Sequence, residues 1–299
     1  MNYAQLRAFH AVASEGSYTR AADVMNVTQP TLSTQVASLE AHYDVKLFQR
    51  QGRGIALTQI GKRLLNVTQR FFAVENEARQ ILQTSRGLMS GELRVYADAP
   101  YLVVPLLATF NSLYPGIQFS LSFGNSTQIL QSLFDRRCDV VVMPDIPSER
   151  RLHSIALKRE EVVAFVAVDH PLASRDNITL EELARHRIIL REEGSTTRKL
   201  LEEALDAREI HLSDSLTVGT REAVREVVAS GLGIGVIFVD EIGSDTRLKP
   251  LPISNATPET TEYVACLAEQ KDAPLIKAFF ELLQAAATGE DPGKHIAKS

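Results

Sequence analysis

Between Thr58 and Pro100 the chain has no proline, and Ile60, Leu64, Val67, Phe71, Val74, Ala78 and Ile81 follow at spacings of 4, 3, 4, 3, 4 and 3. An apolar repeat sustained over three heptads specifies a long helix whose stripe packs on a partner helix. Charged and amide neighbours such as Arg63, Gln69, Glu75, Glu77 and Arg79 keep that stripe narrow. This suits a two-helix seam better than a core helix, and docking on the chain's own domain is the alternative. The segment divides the chain into a head at 1–62, a linker helix at 63–88 and a body at 89–290. The tail, 291–299, is rich in charge with Gly and Pro and is expected to be disordered.

With 44% hydrophobic and 23% charged residues, the 299-residue chain has the composition of a soluble globular protein. Its longest clean apolar run, Val162 to Val168, has the length of a buried strand, far short of the ~18 residues of a membrane span. The N-terminus carries no basic region followed by an apolar stretch, so a cytoplasmic protein is expected. Two cysteines, Cys138 and Cys266, both in apolar strand-like segments, support neither a disulfide framework nor a metal cluster. Net charge is −5 overall, yet residues 1–63 carry +3 and the remainder −8. A small basic head on an acidic body fits a DNA-binding domain joined to something else.

Within the head, Leu6, Phe9, Val12 and Ala13 define the inner face of a first helix that Gly16 stops. Ser17 is a natural cap for a second helix with Ala21, Ala22 and Met25 inward. Thr28 caps a third, whose inward Leu32, Val36 and Leu39 leave Gln29, Thr31, Ser33, Thr34, Gln35 and Ser38 outward. Amides can bond an adenine edge and hydroxyls can reach bases or phosphates, so this face has recognition-helix chemistry. A merely solvated Ser/Thr-rich helix is the competing explanation. Lys46 to Arg50 and Gly54 to Thr58 then read as two short strands around Gln51-Gly52-Arg53, making a winged helix-turn-helix with Arg50 and Arg53 on the wing.

The run Gln5-Leu6-Arg7-Ala8-Phe9, Gly16-Ser17-Tyr18-Thr19-Arg20-Ala21-Ala22, Thr28-Gln29-Pro30-Thr31-Leu32-Ser33, Leu39-Glu40, Leu47-Phe48-Gln49-Arg50 and Leu57-Thr58 resembles the LysR-type transcriptional regulators. That resemblance implies base contacts from Gln29, Pro30, Thr31, Ser33 and Gln35, and wing contacts from Arg50 and Arg53. It also implies dimerisation through the linker helix. The partners it implies are a double-stranded DNA operator, a small-molecule effector and a second copy, as dimer or tetramer, with RNA polymerase as a further partner. It implies neither catalysis nor a cofactor.

From Glu92 onward, strands near Leu93 to Ala97, Ile117 to Phe123 and Val140 to Met143 alternate with helices from Pro100 and Ser126. A second set follows, with strands at Val162 to Val168, Ile188 to Leu190, Leu216 to Val218 and Ile234 to Phe238, and helices at Leu180 to Ala184, Thr196 to Leu205 and Arg221 to Ala229. This order predicts parallel α/β sheets. By resemblance the body is a two-lobed, periplasmic-binding-protein-like effector domain. Lobe 1 then holds about 91–160 plus 267–290 and lobe 2 about 161–266, with the strand-like Tyr263 to Leu267 and the helix-like Leu275 to Ala287 returning to lobe 1.

Ligands of open α/β sheets bind where strands lead into helix N-termini. Four such junctions are polar or tight: Asp98-Ala99-Pro100-Tyr101, Asn125-Ser126-Thr127, Gly194-Ser195-Thr196-Thr197 and Gly219-Thr220-Arg221. Each Ser or Thr is an ordinary helix cap taken singly. Converging on one cleft, they would form an oxyanion site with Arg198 or Arg221 as counter-charge. The segments Gln5 to Val12, Gly124 to Ser126, Ala164 to Val166, Asp169 to Ala173, Arg191 to Arg198 and Thr220 to Glu226 also resemble the LysR-type subgroup associated with 2-aminoethylphosphonate catabolism. That implies a phosphonate effector whose ammonium needs Asp98, Asp145 or the Tyr101 ring.

Other signals lead elsewhere. Gly231-Leu232-Gly233-Ile234-Gly235 lies between a helix and a strand, the reverse of a dinucleotide fingerprint, and reads as a turn. None of the seven histidines has metal-site spacing, His170 before Pro171 reads as a turn residue, and no Ser sits in a nucleophile elbow. The expected function is a ligand-responsive transcription factor. A ligand-independent repressor whose body only oligomerises, or a body acting as enzyme or transport receptor, are the alternatives.

Overall fold

A computed structural model describes residues 1–52, 54–84 and 91–288. The wing residue Arg53, the linker segment 85–88 and the tail from 291 lie outside the described residues, as does the side chain of Ile81. The chain forms two compact units, a head built on residues 1–82 and a body on 83–134 and 138 onward.

In the head, α1 (Tyr3–Glu15) begins with a capping box between Asn2 and Gln5 and ends at Gly16, whose φ of 60° suits glycine. Ser17 caps α2 (Tyr18–Met25) and Thr28 caps α3 (Gln29–Tyr43). Phe9, Val12, Ala21, Ala22, Leu32, Val36 and Leu39 meet in one core with Leu47. Burying a side chain such as Phe9 stabilises the fold by roughly 1.5–3 kcal/mol. Strands β1 (Phe48–Gln51) and β2 (Gly54–Leu57) pair antiparallel to form the wing. Glu40 on α3 anchors it, accepting hydrogen bonds from the Leu47 and Phe48 N–H groups at 2.7 and 3.2 Å. Thr58 accepts from the Gly61 N–H at 3.0 Å and donates to the Lys46 carbonyl at 2.7 Å, fixing the start of α4 (Gln59–Thr84). Gly61 lets α4 approach the wing closely, because a Cβ there would stand 2.2 Å from the Leu47 carbonyl oxygen.

The body's elements are β3 (Gly91–Ala97), α5 (Pro100–Leu113), β4 (Ile117–Phe123), α6 (Ser126–Phe134), β5 (Val140–Pro144), β6 (Leu152–Ala167), α7 (Leu180–Leu183), β7 (Arg187–Arg191), α8 (Thr196–Asp206), β8 (Asp214–Val218), α9 (Arg221–Ala229), β9 (Ile234–Phe238), β10 (Leu248–Leu251), β11 (Glu259–Leu267) and α10 (Pro274–Thr288). Strand order is β4-β3-β5-β11-β6-β9-β7-β8, with β10 also on β6. Lobe 1 packs Val95, Phe110, Val142 and Phe279, and lobe 2 packs Val162, Leu201, Ile234 and Phe238.

The expected all-parallel sheets are corrected to mixed ones. β3 pairs parallel with β4 and β5, and β7 with β8 and β9, but β6 and β11 run antiparallel to each other and to their neighbours. The first ten residues of β6, Leu152–Glu161, pair with β11, and Val162 onward pairs with β9 and β10, so one strand serves both lobes. Sequence reading recovered only the apolar second half, because the first half is charged and partly exposed. The return to lobe 1 comes at Glu259, not at 267, since β11 pairs with the lobe-1 half of β6 from its first residue. Cys138 precedes β5 and does not lie within a strand; both cysteines are buried, and neither forms a disulfide.

The Gly231 to Gly235 run forms the turn from α9 into β9, where a Cβ on Gly235 would sit 2.3 Å from the Phe165 ring. His170 accepts the Leu172 N–H at 3.2 Å in a short turn. Among the described residues, no helix is long and apolar enough to cross a membrane, and no group of three or more His, Cys, Asp or Glu could hold a metal ion.

Candidate functional site

At the start of α3, Gln29, Pro30 and Thr31 are exposed, while Ser33 and Gln35 are half-buried. The Thr28 and Thr31 hydroxyls lie 2.8 Å apart, so Thr31 is engaged locally, while the Gln29 amide is exposed at the first position of α3. Arg50 is exposed on β1 beside Gly52, whose φ of 60° turns the wing tip. A groove of about 680 Å³ between the start of α2 and the wing is lined by Ser17, Tyr18, Arg20 and Arg50, among others. Sequence reading gave Ser17 a capping role only and assigned none to Tyr18 or Arg20. The signal available was a basic residue in the first turn of a capped helix, which is phosphate-binding geometry.

Helix α4 shows two faces. Thr68 is fully buried with its hydroxyl 3.0 Å from His10 Nδ1, and Phe72 packs against Tyr3 and His10, so one face docks on α1. Ile60, Val67, Val74 and Ala78 remain exposed along the other, and Phe71, partly exposed between the two, also meets the Tyr3 ring at 6.5 Å. Leu64 departs from the expected seam and packs on the head core.

In the body, the four junctions separate into two pairs across the inter-lobe cleft. The first pair joins the starts of α6 and α8 around a cavity of about 360 Å³ lined by Ser126, Thr127, Ser195, Thr196, Arg198 and Lys199, with Asp145, Glu193 and Glu202 also present. Ser126 Oγ is 2.8 Å from Thr196 Oγ1, the Thr127 N–H donates to the Gly194 carbonyl at 3.4 Å, and Lys199 Nζ is 2.6 Å from Asp145. Asn125 caps α6 through the Gln128 N–H and donates from Nδ2 to Glu192 and to the Glu193 carbonyl, both at 3.3 Å. Ser195, Thr196 and Thr197 are buried at the start of α8, where Ser195 occupies the cap position without making a side-chain cap bond. Arg198 is held by Glu202 at 2.7 Å.

The second pair joins the starts of α5 and α9 and is chemically opposite. Arg221 NH2 is 3.4 Å from Asp98 Oδ2 and NH1 is 3.2 Å from Glu241 Oε1, all three groups deeply buried. Tyr101 donates to Glu160 at 2.9 Å, and Lys158 Nζ lies 2.5 Å from Glu160 and 5.2 Å from the Tyr101 ring centroid. Burial raises the pKa of Asp98 against the pull of Arg221, and pushes Glu241 up to about 7. Glu262 is wholly buried with neither oxygen hydrogen-bonded, and burial together with neighbouring carboxylates raises its pKa strongly. Thr220 caps α9, accepting the Ala223 N–H at 3.1 Å, and Pro100 is exposed.

The expectation that all four junctions converge on one anion site is therefore corrected. Only the α6 and α8 junctions line the cavity, whereas Asp98, Tyr101 and Arg221 belong to an acid-rich cluster. Sequence reading missed Glu160, Glu241 and Glu262. Glu262 was the legible one, since it stands in phase with the buried Val264 and Cys266 on β11.

Comparison with known proteins covers both units. The family described as "Bacterial regulatory helix-turn-helix protein, lysR family" matches residues 3–62, and "LysR substrate binding domain" matches 86–288. The RuBisCO operon transcriptional regulator of Allochromatium vinosum is 30% identical over 288 residues, 95% of each chain. A variant of full-length OxyR from Pseudomonas aeruginosa has a similar fold, with a TM-score of 0.73 at 24% identity over 95% of this chain and 94% of that one. The Synechocystis PCC6803 CcmR regulatory domain, solved in complex with 2-PG, is 29% identical with a TM-score of 0.61, covering 66% of this chain and 97% of that one.

Proposed function

Because this chain belongs to the LysR family of DNA-binding transcriptional regulators, we propose that α3 and the wing read its operator and that a small anionic effector binds at the start of α8. The observation that carries the effector reading is the cap position of α8. Ser195 makes no side-chain cap bond, so the first-turn N–H groups of an eleven-residue helix face the cavity with the Ser195 and Thr196 hydroxyls beside them. By contrast, Thr220 and Asn125 already cap α9 and α6. Unpaired N–H groups, a helix dipole and nearby Lys199 favour an oxyanion.

Two ligand chemistries deserve direct comparison. The complex of the CcmR regulatory domain makes 2-PG a candidate for this chain. The 2-aminoethylphosphonate expectation rests on the subgroup resemblance and on the same oxyanion chemistry; the relatives above lend it no support. In this reading the regulator works in the cytoplasm as a homo-oligomer through the exposed α4 stripe, and effector binding favours one closure of the lobes that biases the DNA-binding heads.

Calorimetric titration of the full chain with 2-PG, 2-aminoethylphosphonate, phosphate and sulfate tests the effector assignment. Saturable binding of one organic anion, lost in Thr196→Val, is the expected result. No binding of any anion by folded, operator-competent protein would overturn it in favour of a ligand-independent repressor.

A further inference from the structure

Six elements deliver ionisable groups to one buried place at the hinge between the lobes. β3 leads into Asp98, α5 brings Tyr101, β6 brings Glu160 and Lys158, β11 brings Glu262, the turn after β9 brings Glu241, and α9 brings Arg221. Glu262 sits opposite Lys158 in the β11–β6 register and opposite Pro144 of β5, yet makes no hydrogen bond with either oxygen. Asp98 Oδ1 and Glu241 Oε1 also lack hydrogen bonds.

The nearby cations are already committed. Arg221 serves Asp98 and Glu241, Lys158 is shared at 2.5 Å between Glu160 and Asp240, and Arg191 is held bidentate by Glu192. Asp145, the other acid at the end of β5, is taken by Lys199. Asp98, Glu160, Glu241 and Glu262 therefore outnumber the positive charge available to them. An ionised Glu262 with no protein donor and no solvent exposure would carry the desolvation penalty of a buried charge, and a bound proton removes it.

We infer that this cluster is a proton-operated latch, in which the closed body holds Glu262 protonated and opening of the lobes about β6 and β11 releases that proton. Asp98 and Tyr101 move with lobe 1, Arg221 and Glu241 with lobe 2, and Glu160 and Glu262 lie on the strands between. Separating the lobes breaks the Asp98–Arg221 pair and admits water to Glu262, which then ionises. Closure takes the proton up and is favoured at low pH. One linked proton makes the closed-to-open ratio fall about tenfold per pH unit between the closed-state and open-state pKa values. This holds whatever effector the cleft takes.

The test uses the full chain with nitroxide labels on Ser122→Cys in lobe 1 and Asp206→Cys in lobe 2, both exposed, while Cys138 and Cys266 are buried against labelling. Inter-label distances from pH 5 to 9 should show a closed population giving way to an open one as pH rises. Glu262→Gln, a neutral isostere, should stay closed throughout. Infrared difference spectra should show a protonated carboxyl at pH 8 that Glu262→Gln lacks. The same pH-driven opening in Glu262→Gln, or no protonated carboxyl in the parent, overturns the inference. Should Glu262→Gln not fold, Glu241→Gln decides. Removing that neighbouring negative charge eases Glu262 ionisation inside the closed body and should shrink the rise of the open population at high pH, and an unchanged rise counts against the latch.

Discussion

Ser126 Oγ and Thr196 Oγ1 meet at 2.8 Å across the cleft, one hydroxyl from each lobe. Each can rotate from its neighbour to an incoming oxyanion, so the pair bridges the lobes without ligand and yields to one. Ser126→Ala is expected to weaken binding of the effector about 10- to 100-fold, roughly the worth of one hydrogen bond to a charged group. Thr220→Ala should cost about 1 kcal/mol of stability through its lost cap and leave affinity unchanged. Parallel calorimetry and denaturation of the two variants separate these effects. Equal affinity losses would return Thr220 to the binding set.

Gln29→Ala should reduce discrimination between operator and random DNA by about 1–3 kcal/mol, because an exposed amide at the start of α3 reads base edges. Arg50→Ala should instead weaken both DNAs alike and lower the salt slope by about one. Fluorescence anisotropy across a salt series distinguishes them, and a uniform loss for Gln29→Ala would remove its base-reading role.

Glu40 joins the recognition helix to the wing through two backbone N–H groups. Glu40→Ala should destabilise the head by about 2–4 kcal/mol by stranding both donors, whereas Glu40→Gln keeps an acceptor and should cost about 1 kcal/mol or less. Urea denaturation followed by operator binding gives the comparison.

Much of the head was legible because its inward residues repeat locally. Leu32, Val36 and Leu39 mark one face of α3, and Gly16, Ser17, Thr28 and Thr58 mark element ends within a residue or two. The α6 and α8 junctions were legible for the same reason: hydroxyls at helix starts are a local signal. The acid cluster was not, since Asp98, Glu160, Glu241 and Glu262 are scattered over more than 160 residues and meet only through β6 and β11. The first half of β6 was itself obscure, because Lys158, Arg159, Glu160 and Glu161 break any apolar run.

Val67 and Val74 lie exposed on α4, turned away from Thr68 and Phe72, which dock on α1. Val74→Glu should therefore convert the oligomer to monomer in analytical ultracentrifugation while leaving the thermal unfolding of the head nearly unchanged, since surface substitutions typically cost within about 0.5 kcal/mol. An unaltered sedimentation coefficient would rule out α4 as the seam.

Glu241 adds a pH dependence of stability. Its folded pKa of about 7 lies above the ordinary carboxylate value of 4.5, so the native state binds the proton more tightly than the unfolded chain. The associated stability is complete below the ordinary value and is lost as pH rises through about 7. Integrated over that window the loss is of order 3 kcal/mol. Glu241→Gln should flatten stability against pH between 5 and 8 in urea denaturation, and a parallel curve would contradict the assignment.

Because β6 belongs to both sheets without a break, its two lobes share one parity. Side chains alternate faces along a strand, so inserting a single residue between Lys158 and Val162 would exchange Val162 and Ala164, which pack one core of lobe 2, with Val163 and Phe165, which pack the other. Pairs of residues could be added there, but not one. Insertions and deletions in this segment are confined to even numbers of residues, a condition imposed on the genetic drift of the chain by geometry alone.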